Sequence, residues 1–161
     1  MINMMKHSAL GCCAVMALHA ASPASAAGLR VTNTILVQQR VAVADGTTRV
    51  TLVPANHVVP GDRVVFRIAY HNEVGQPING VVLNTPVPAN LAYRGPAEGS
   101  PVPEVSVDGK SFGPLATLKV IGAQGHWRAA QAQDVTHVRW VRSGAVPVNG
   151  AGQYAFEAVL K

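Results

Sequence analysis

The chain has 161 residues, a formal charge of +5, a hydrophobic fraction of 48% and only two cysteines. That length fits one domain able to bury its own core. The arginines are scattered from Arg30 to Arg142 and there is no run of lysines, whereas nucleic-acid binders cluster positive charge on one face or helix. A mild positive excess favours acidic surfaces such as anionic glycans or lipid headgroups, and it serves solubility equally well.

The first stretch reads "MINMMKHSALGCCAVMALHAASPASAAGLR". Lys6 and His7 precede an apolar run from Ser8 to Ala21, and Ala24-Ser25-Ala26 has the small-x-small form that signal peptidase cleaves. The expectation is a signal peptide over residues 1–26, cut after Ala26. The rival is a membrane anchor, but a run of about 14 residues falls short of the roughly 20 that span a bilayer. Cys12 and Cys13 both lie in this leader. Reading "ALGC" as a lipidation box would leave only Ser8 to Gly11 for the apolar segment and put Ala9 where leucine is usual. Small apolar residues of a signal core are the simpler reading. The mature chain then has neither disulfide nor thiolate. It is expected in the periplasm or outside the cell, without a membrane span, and stabilised by core packing.

From Leu29 onward the dominant period is two. Val31, Ile35, Val37, Val41 and Val43 fall on one face, and Asp45-Gly46 marks the turn of a hairpin covering residues 29–54. "VVPGDRVVFRIAYHN" opens with a turn: Pro60 presets φ, Gly61 tolerates positive φ, and Asp62 bonds its own backbone. After it Val64, Phe66, Ile68 and Tyr70 alternate with Val65, Arg67, Ala69 and His71, a strand with one buried face. "NGVVLNTPVP", "LAYRG", "EVSVDG", "LATLKV", "DVTHVRWVRS" and "QYAFEAVL" follow as short extended pieces separated by glycines and prolines. Val138 and Trp140 share a face, as do Tyr154, Phe156, Ala158 and Leu160. Only residues 126–134, "HWRAAQAQD", suggest a turn or two of helix. The pattern predicts an all-β sandwich or barrel of about seven to nine antiparallel strands in one domain, residues 27–161.

Residues that could carry chemistry are sparse. His57, His71, His126 and His137 lack metal-ligand spacing. Asp134 and His137, three apart on an extended chain, would point to opposite faces. His71 and His137 would meet only if their strands were neighbours. Asp45, Asp108 and Asp134 stand singly, unlike a calcium loop, and no serine has a G-x-S-x-G context. No metal, cofactor or catalytic residue is expected, and the chain reads as a non-enzyme. Exposed aromatics on β domains can stack on sugar rings. Trp127, in the Gly-rich "GAQGHWRAA", is the best candidate for such a platform, against packing under its loop, and Tyr93 in "LAYRG" is the second. Trp140 reads as core.

The order Pro60-Gly61-Asp62, Asn72, Gly75, Val81-Val82, Pro88 and Leu91 resembles the conserved-repeat domain of bacterial envelope and surface proteins, domain of unknown function number eleven. The later "VRWVRSGAVPVNGAGQYAFEAVL" resembles its closing half, so the resemblance covers roughly residues 58–161. Where that family often has an aspartate, this chain has Asn84-Thr85-Pro86. The resemblance implies an immunoglobulin-like sandwich outside the cytoplasm and no catalytic residues. The expected role is structural or protein-interacting in the cell envelope, with another envelope protein or a second copy as partner. The alternative is a module that binds glycans or envelope polymers.

Overall fold

The computed structural model describes residues 28–44 and 46–161; the expected signal peptide and Asp45 lie outside them. In chain order the strands are β1 Leu29–Ala42, β2 Thr48–Pro54, β3 Arg63–Asn72, β4 Val82–Pro86, β5 Leu91–Pro96, β6 Glu104–Ser106, β7 Lys119–Ile121, β8 Trp127–Ala129, β9 His137–Val141 and β10 Ala151–Leu160. The all-β expectation holds, with two short 3-10 turns, Leu115–Thr117 and Ala132–Asp134, as the only helical pieces among the described residues. Ten strands exceed the expected seven to nine through β8, three residues inside the stretch that suggested a helical turn. The helical turn expected over 126–134 is strand at Trp127–Ala129 and 3-10 turn at Ala132–Asp134. Among the described residues no helix is long and apolar enough to cross a membrane.

All the ladders are antiparallel. One sheet runs β2-β1-β3-β10-β5, a second β4-β9-β6, and β7-β8 forms a hairpin of its own. The first two sheets share one core. Val64, Phe66, Ile68 and Tyr70 of β3, with Phe156 and Ala158 of β10, meet Leu83, Val105, Val138 and Trp140 of the second sheet. The Trp140 ring stacks on Tyr154 at 5.3 Å, and Phe66 stacks on its ladder partner Phe156 at 5.1 Å. Offset aromatic stacks add roughly 0.5–1.5 kcal/mol each beyond area burial. The Trp140 indole is also satisfied, donating to the Pro101 carbonyl at 2.9 Å.

Three strands cannot cover five. β3 and β10 alternate buried and partly buried positions, whereas β2 is exposed almost throughout. β1 pairs with β3 from Leu29 to Val37 and with β2 only from Leu36 to Ala42. Its Val37 joins the core, where Val53 and Ala55 pack too, but Val31, Ile35 and Val41 on the same face stay exposed. The alternation expected along β1 is therefore real, while its apolar face is only partly used.

The turn read at Pro60-Gly61-Asp62 is built as expected. Asp62 Oδ2 accepts the Val59 N–H at 2.9 Å and Gly61 has φ of +96°. Asp62 is thus a turn residue that aligns the start of β3 with the end of β10, where Gly61 N donates to the Leu160 carbonyl. The β1–β2 turn is closed by Val43 N donating to the Thr47 carbonyl at 2.8 Å.

Candidate functional site

The feature least explained by folding is the β7–β8 hairpin. Its register sets Ile121 opposite Trp127, Val120 opposite Arg128 and Lys119 opposite Ala129. Side chains alternate across a strand, so Ile121 and Trp127 share one face with Lys119 and Ala129, and Arg128 lies on the other. Ile121 is 63% and Trp127 68% exposed. Two large apolar side chains side by side on a projecting ribbon sit in water, where each forgoes roughly 1.5–3 kcal/mol of burial.

The ribbon is held firmly at its base and turn. Gly122 N donates to the His126 carbonyl and Gly125 N to the Gly122 carbonyl, with Gly125 at φ +78°. Ala130 N donates to the Leu118 carbonyl below it. Arg128 makes a forked pair with Asp134 at 2.7 and 2.8 Å. The same carboxylate accepts the Gln131 N–H at 2.7 Å. The Arg128 guanidinium holds the Asp134 carboxyl below the usual carboxylate range against the opposing effect of burial, and the Gln131 N–H adds a smaller lowering. Leu118 and Ala132 pack on the core. A lone two-stranded hairpin is marginal in water; this one is stabilised by its anchor and leaves its apolar tip free. Beside the indole lies a shallow depression of about 270 Å³ lined by Gly122, Ala123, Gln124, His126, Trp127 and Arg128.

Trp127 thus stands where a contact surface would need it, not packed under its loop. Tyr93, the second expected contact, does not share that surface. It is 4% exposed, its ring lies 5.7 Å from that of Phe156, and burial pushes its hydroxyl up to about 12. Alternation put Tyr93 on the inner face of β5, and a ring in the core cannot stack on a ligand. Trp140 is core, as read.

The polar residues weighed for chemistry are dispersed. His71 sits on β3 and His137 on β9, in different sheets. His71 neighbours Glu73 at 3.9 Å, beside the Arg30–Glu73 pair. His137 lies edge-on to Phe112 and 3.1 Å from Thr136 Oγ1. Asp108 closes a turn, accepting from Ser106 Oγ and from the Lys110 and Ser111 N–H groups. Those bonds, the two backbone donors foremost, push its carboxyl well below the usual range. Among the described residues no group of three His, Cys, Asp or Glu converges as a metal site would require.

Sequence reasoning missed a second surface. The outer face of the five-stranded sheet carries a small cluster of its own, Leu36, Val65, Ala97 and Ala155. The turn after β5 folds over β10 there, with Ala97 N donating to the Ala155 carbonyl and Ala155 N to Ser100 Oγ. Between that turn and β2 lies a groove of about 420 Å³ whose walls include Val50, Leu52, Arg67 and Glu98. A Gln38–Glu157 hydrogen bond crosses the sheet beside it at 3.1 Å. Consecutive apolar residues Val64-Val65-Phe66, buried on both faces of β3, were the available signal.

Comparison of the chain with protein-family models, with curated proteins and with solved structures finds no match.

Proposed function

We propose that this chain is an exported, non-enzymatic domain of the cell envelope, an immunoglobulin-like sandwich with a structural or protein-interaction role whose contact surface is the β7–β8 hairpin. The observation that carries it is the Ile121–Trp127 pair, exposed on a ribbon fixed to the body by the Arg128–Asp134 fork. Buried aromatic anchors dominate protein interfaces, and a rigid scaffold limits the entropy lost on binding. Placement in the envelope rests on the signal-like leader and on the resemblance of residues 58–161 to the conserved-repeat domain.

The second reading is a glycan or envelope-polymer module, favoured by the depression in which Gln124 and His126 flank the indole. There the ring would stack on a sugar face while the two polar side chains bond hydroxyls.

In-cell crosslinking of the tagged chain, with mass spectrometry of what it captures, tests both. Capture of one dominant protein that disappears in Trp127→Ala supports the interaction reading. Retention on cell-wall polysaccharide, lost in Trp127→Ala, moves the assignment to the polymer module. Capture and retention both unchanged in Trp127→Ala remove the hairpin from function. A reproducible hydrolase activity abolished by one substitution would overturn the non-enzymatic reading.

A further inference from the structure

A sheet edge is a row of unpaired N–H and C=O groups, and proteins guard such edges with prolines, bulges, lysines or covering segments. Most edges here are guarded in that way. β5 has a register shift opposite Glu157/Ala158 and ends at Pro96, β4 ends at Pro86, and β6 has three residues. β1 is different. Among the described residues its edge away from β3 is covered by β2 only from Leu36 onward, which leaves Leu29 to Asn33 without a neighbour. That stretch holds no proline and no lysine, and its one charge, Arg30, is drawn to Glu73 at 2.6 Å.

The direction of the backbone groups follows from two bonds. Gly28 O accepts from Glu73 N on the β3 side, and Ile35 O accepts from Ala55 N on the β2 side. Backbone groups alternate sides along a strand, so Leu29, Val31 and Asn33 turn both N–H and C=O to the open edge, while Arg30, Thr32 and Thr34 bond β3. Side chains alternate as well, which places Val31, 46% exposed, on the inner face beside Tyr70.

We infer that two copies of this chain pair antiparallel through this edge, about a two-fold axis at Val31. An isologous interface must be complementary to itself, and this segment is. Centring on Val31 sets Val31 against Val31 of the second copy and Leu29 against Asn33. Each of these pairs exchanges both backbone bonds. On the outer face Arg30 then lies opposite Thr32, so the two arginines do not oppose each other. The slot also has the right length. It is closed at one end by Ala55 on Ile35, and each strand begins at Leu29, just after Gly28 with its φ of +104°. Pairing joins the two five-stranded sheets into one and brings the two Val31 side chains together. Edge pairing over so few residues buries less than the ~1,200 Å² of ordinary specific interfaces, so the association depends on concentration. It rests on the β1 edge alone and stands whether or not the Trp127 hairpin has a partner.

Register-specific crosslinking tests it. In a chain whose Cys12 and Cys13 are changed to alanine, Val31→Cys faces its own counterpart at a Cα separation of about 5.5 Å, within disulfide reach. Oxidation should give a covalent dimer. Thr34→Cys, on the outer face and opposite Gly28, should give little. Sedimentation equilibrium of the unmodified chain should show a monomer–dimer equilibrium, weakened at least tenfold by Val31→Pro, which deletes an outward N–H. Val31→Lys, which sets like charges face to face and keeps every backbone group, should weaken it similarly and decides the matter if the proline variant misfolds. A chain that stays monomeric up to ~1 mM, equal crosslinking of Thr34→Cys and Val31→Cys, or a dimer lost in Trp127→Ala but kept in Val31→Lys would each overturn the proposal.

Discussion

The Asn72 side chain, fully buried at the end of β3, donates from Nδ2 to the carbonyl of Val146, 74 residues further on, at 3.0 Å. The same amide group reaches the Pro147 and Gln76 carbonyls at 2.9 and 3.0 Å, and Oδ1 accepts the Val74 N–H at 2.9 Å. One side chain therefore closes the turn after β3 and fastens it to the loop that leads into β10. Asn72→Leu would strand the Val74 N–H and the Gln76 carbonyl and open a polar gap in the core, while the Val146 and Pro147 carbonyls keep the Ile78 and Gly150 N–H groups. Each stranded group costs about 1–3 kcal/mol where water cannot reach it. We expect a loss of roughly 3 kcal/mol, read as a lowered urea midpoint at unchanged slope. Asn72→Asp should cost more, because a carboxylate would face three carbonyl oxygens.

The two tryptophans should behave oppositely. Trp140→Ala opens a cavity between the sheets, strands the Pro101 carbonyl and removes the stack on Tyr154. The expected destabilisation is about 3–5 kcal/mol. Trp127→Ala removes an exposed ring and should stay within ~0.5 kcal/mol of the parent. Thermal unfolding of both variants checks the contrast. A large loss in Trp127→Ala would mean that the ring packs on the body, contrary to its exposure.

Two glycines make a similar pair. A Cβ on Gly152 would run into the hydroxyl and ring of Tyr70. That ring has little room to yield, since Arg142 donates to its oxygen at 2.9 Å and the Tyr154 ring lies 5.9 Å away. Gly152→Ala should therefore destabilise by about 1–3 kcal/mol. A Cβ on Gly75 meets nothing and its φ is not positive. Gly75→Ala should be neutral or stabilise by up to ~1 kcal/mol through the unfolded chain. Paired denaturant titrations read both.

Tyr93 ties stability to alkaline pH. Burial raises its hydroxyl from the ordinary 10.0 to about 12. The folded state then holds a proton that the unfolded chain releases between those values, so stability is complete below pH 10 and falls as pH rises toward 12. The loss amounts to roughly 2–3 kcal/mol if Tyr93 acts alone. Tyr93→Phe should flatten this part of the stability curve. An unaltered alkaline slope in that variant would assign the effect to other tyrosines.

Much of this structure was legible before any coordinates. Period-two alternation located β1, β3, β9 and β10, and proline, glycine and aspartate chemistry located the turn at Asp62. Those signals are local: alternating side chains and preset dihedrals act within a few residues. Of the three-residue strands, β6 lay within the extended piece "EVSVDG" and the start of β7 within "LATLKV", whereas β8 was not legible, because a period needs several repeats to show. The helical reading of 126–134 held only for the 3-10 turn at Ala132–Asp134. Alanine and glutamine favour helix, but intrinsic propensity is a small bias per residue, and ladder bonds to Lys119–Ile121 hold Trp127–Ala129 extended.

At the candidate site the limit was sharper. Trp127 and Tyr93 were both aromatic rings near glycines, Trp127 in a Gly-rich stretch and Tyr93 in the extended piece "LAYRG". By itself the sequence determined that extended segments with one apolar face would fold around a common core, and which rings lay on which face of each strand. Only the tertiary structure decided which faces were covered. Tyr93 lies under the second sheet, Trp127 rides on a ribbon outside it, and Val31 falls beyond its margin. Coverage depends on how many strands each sheet has and where each strand ends. Those are sums over long-range pairings that no local pattern records.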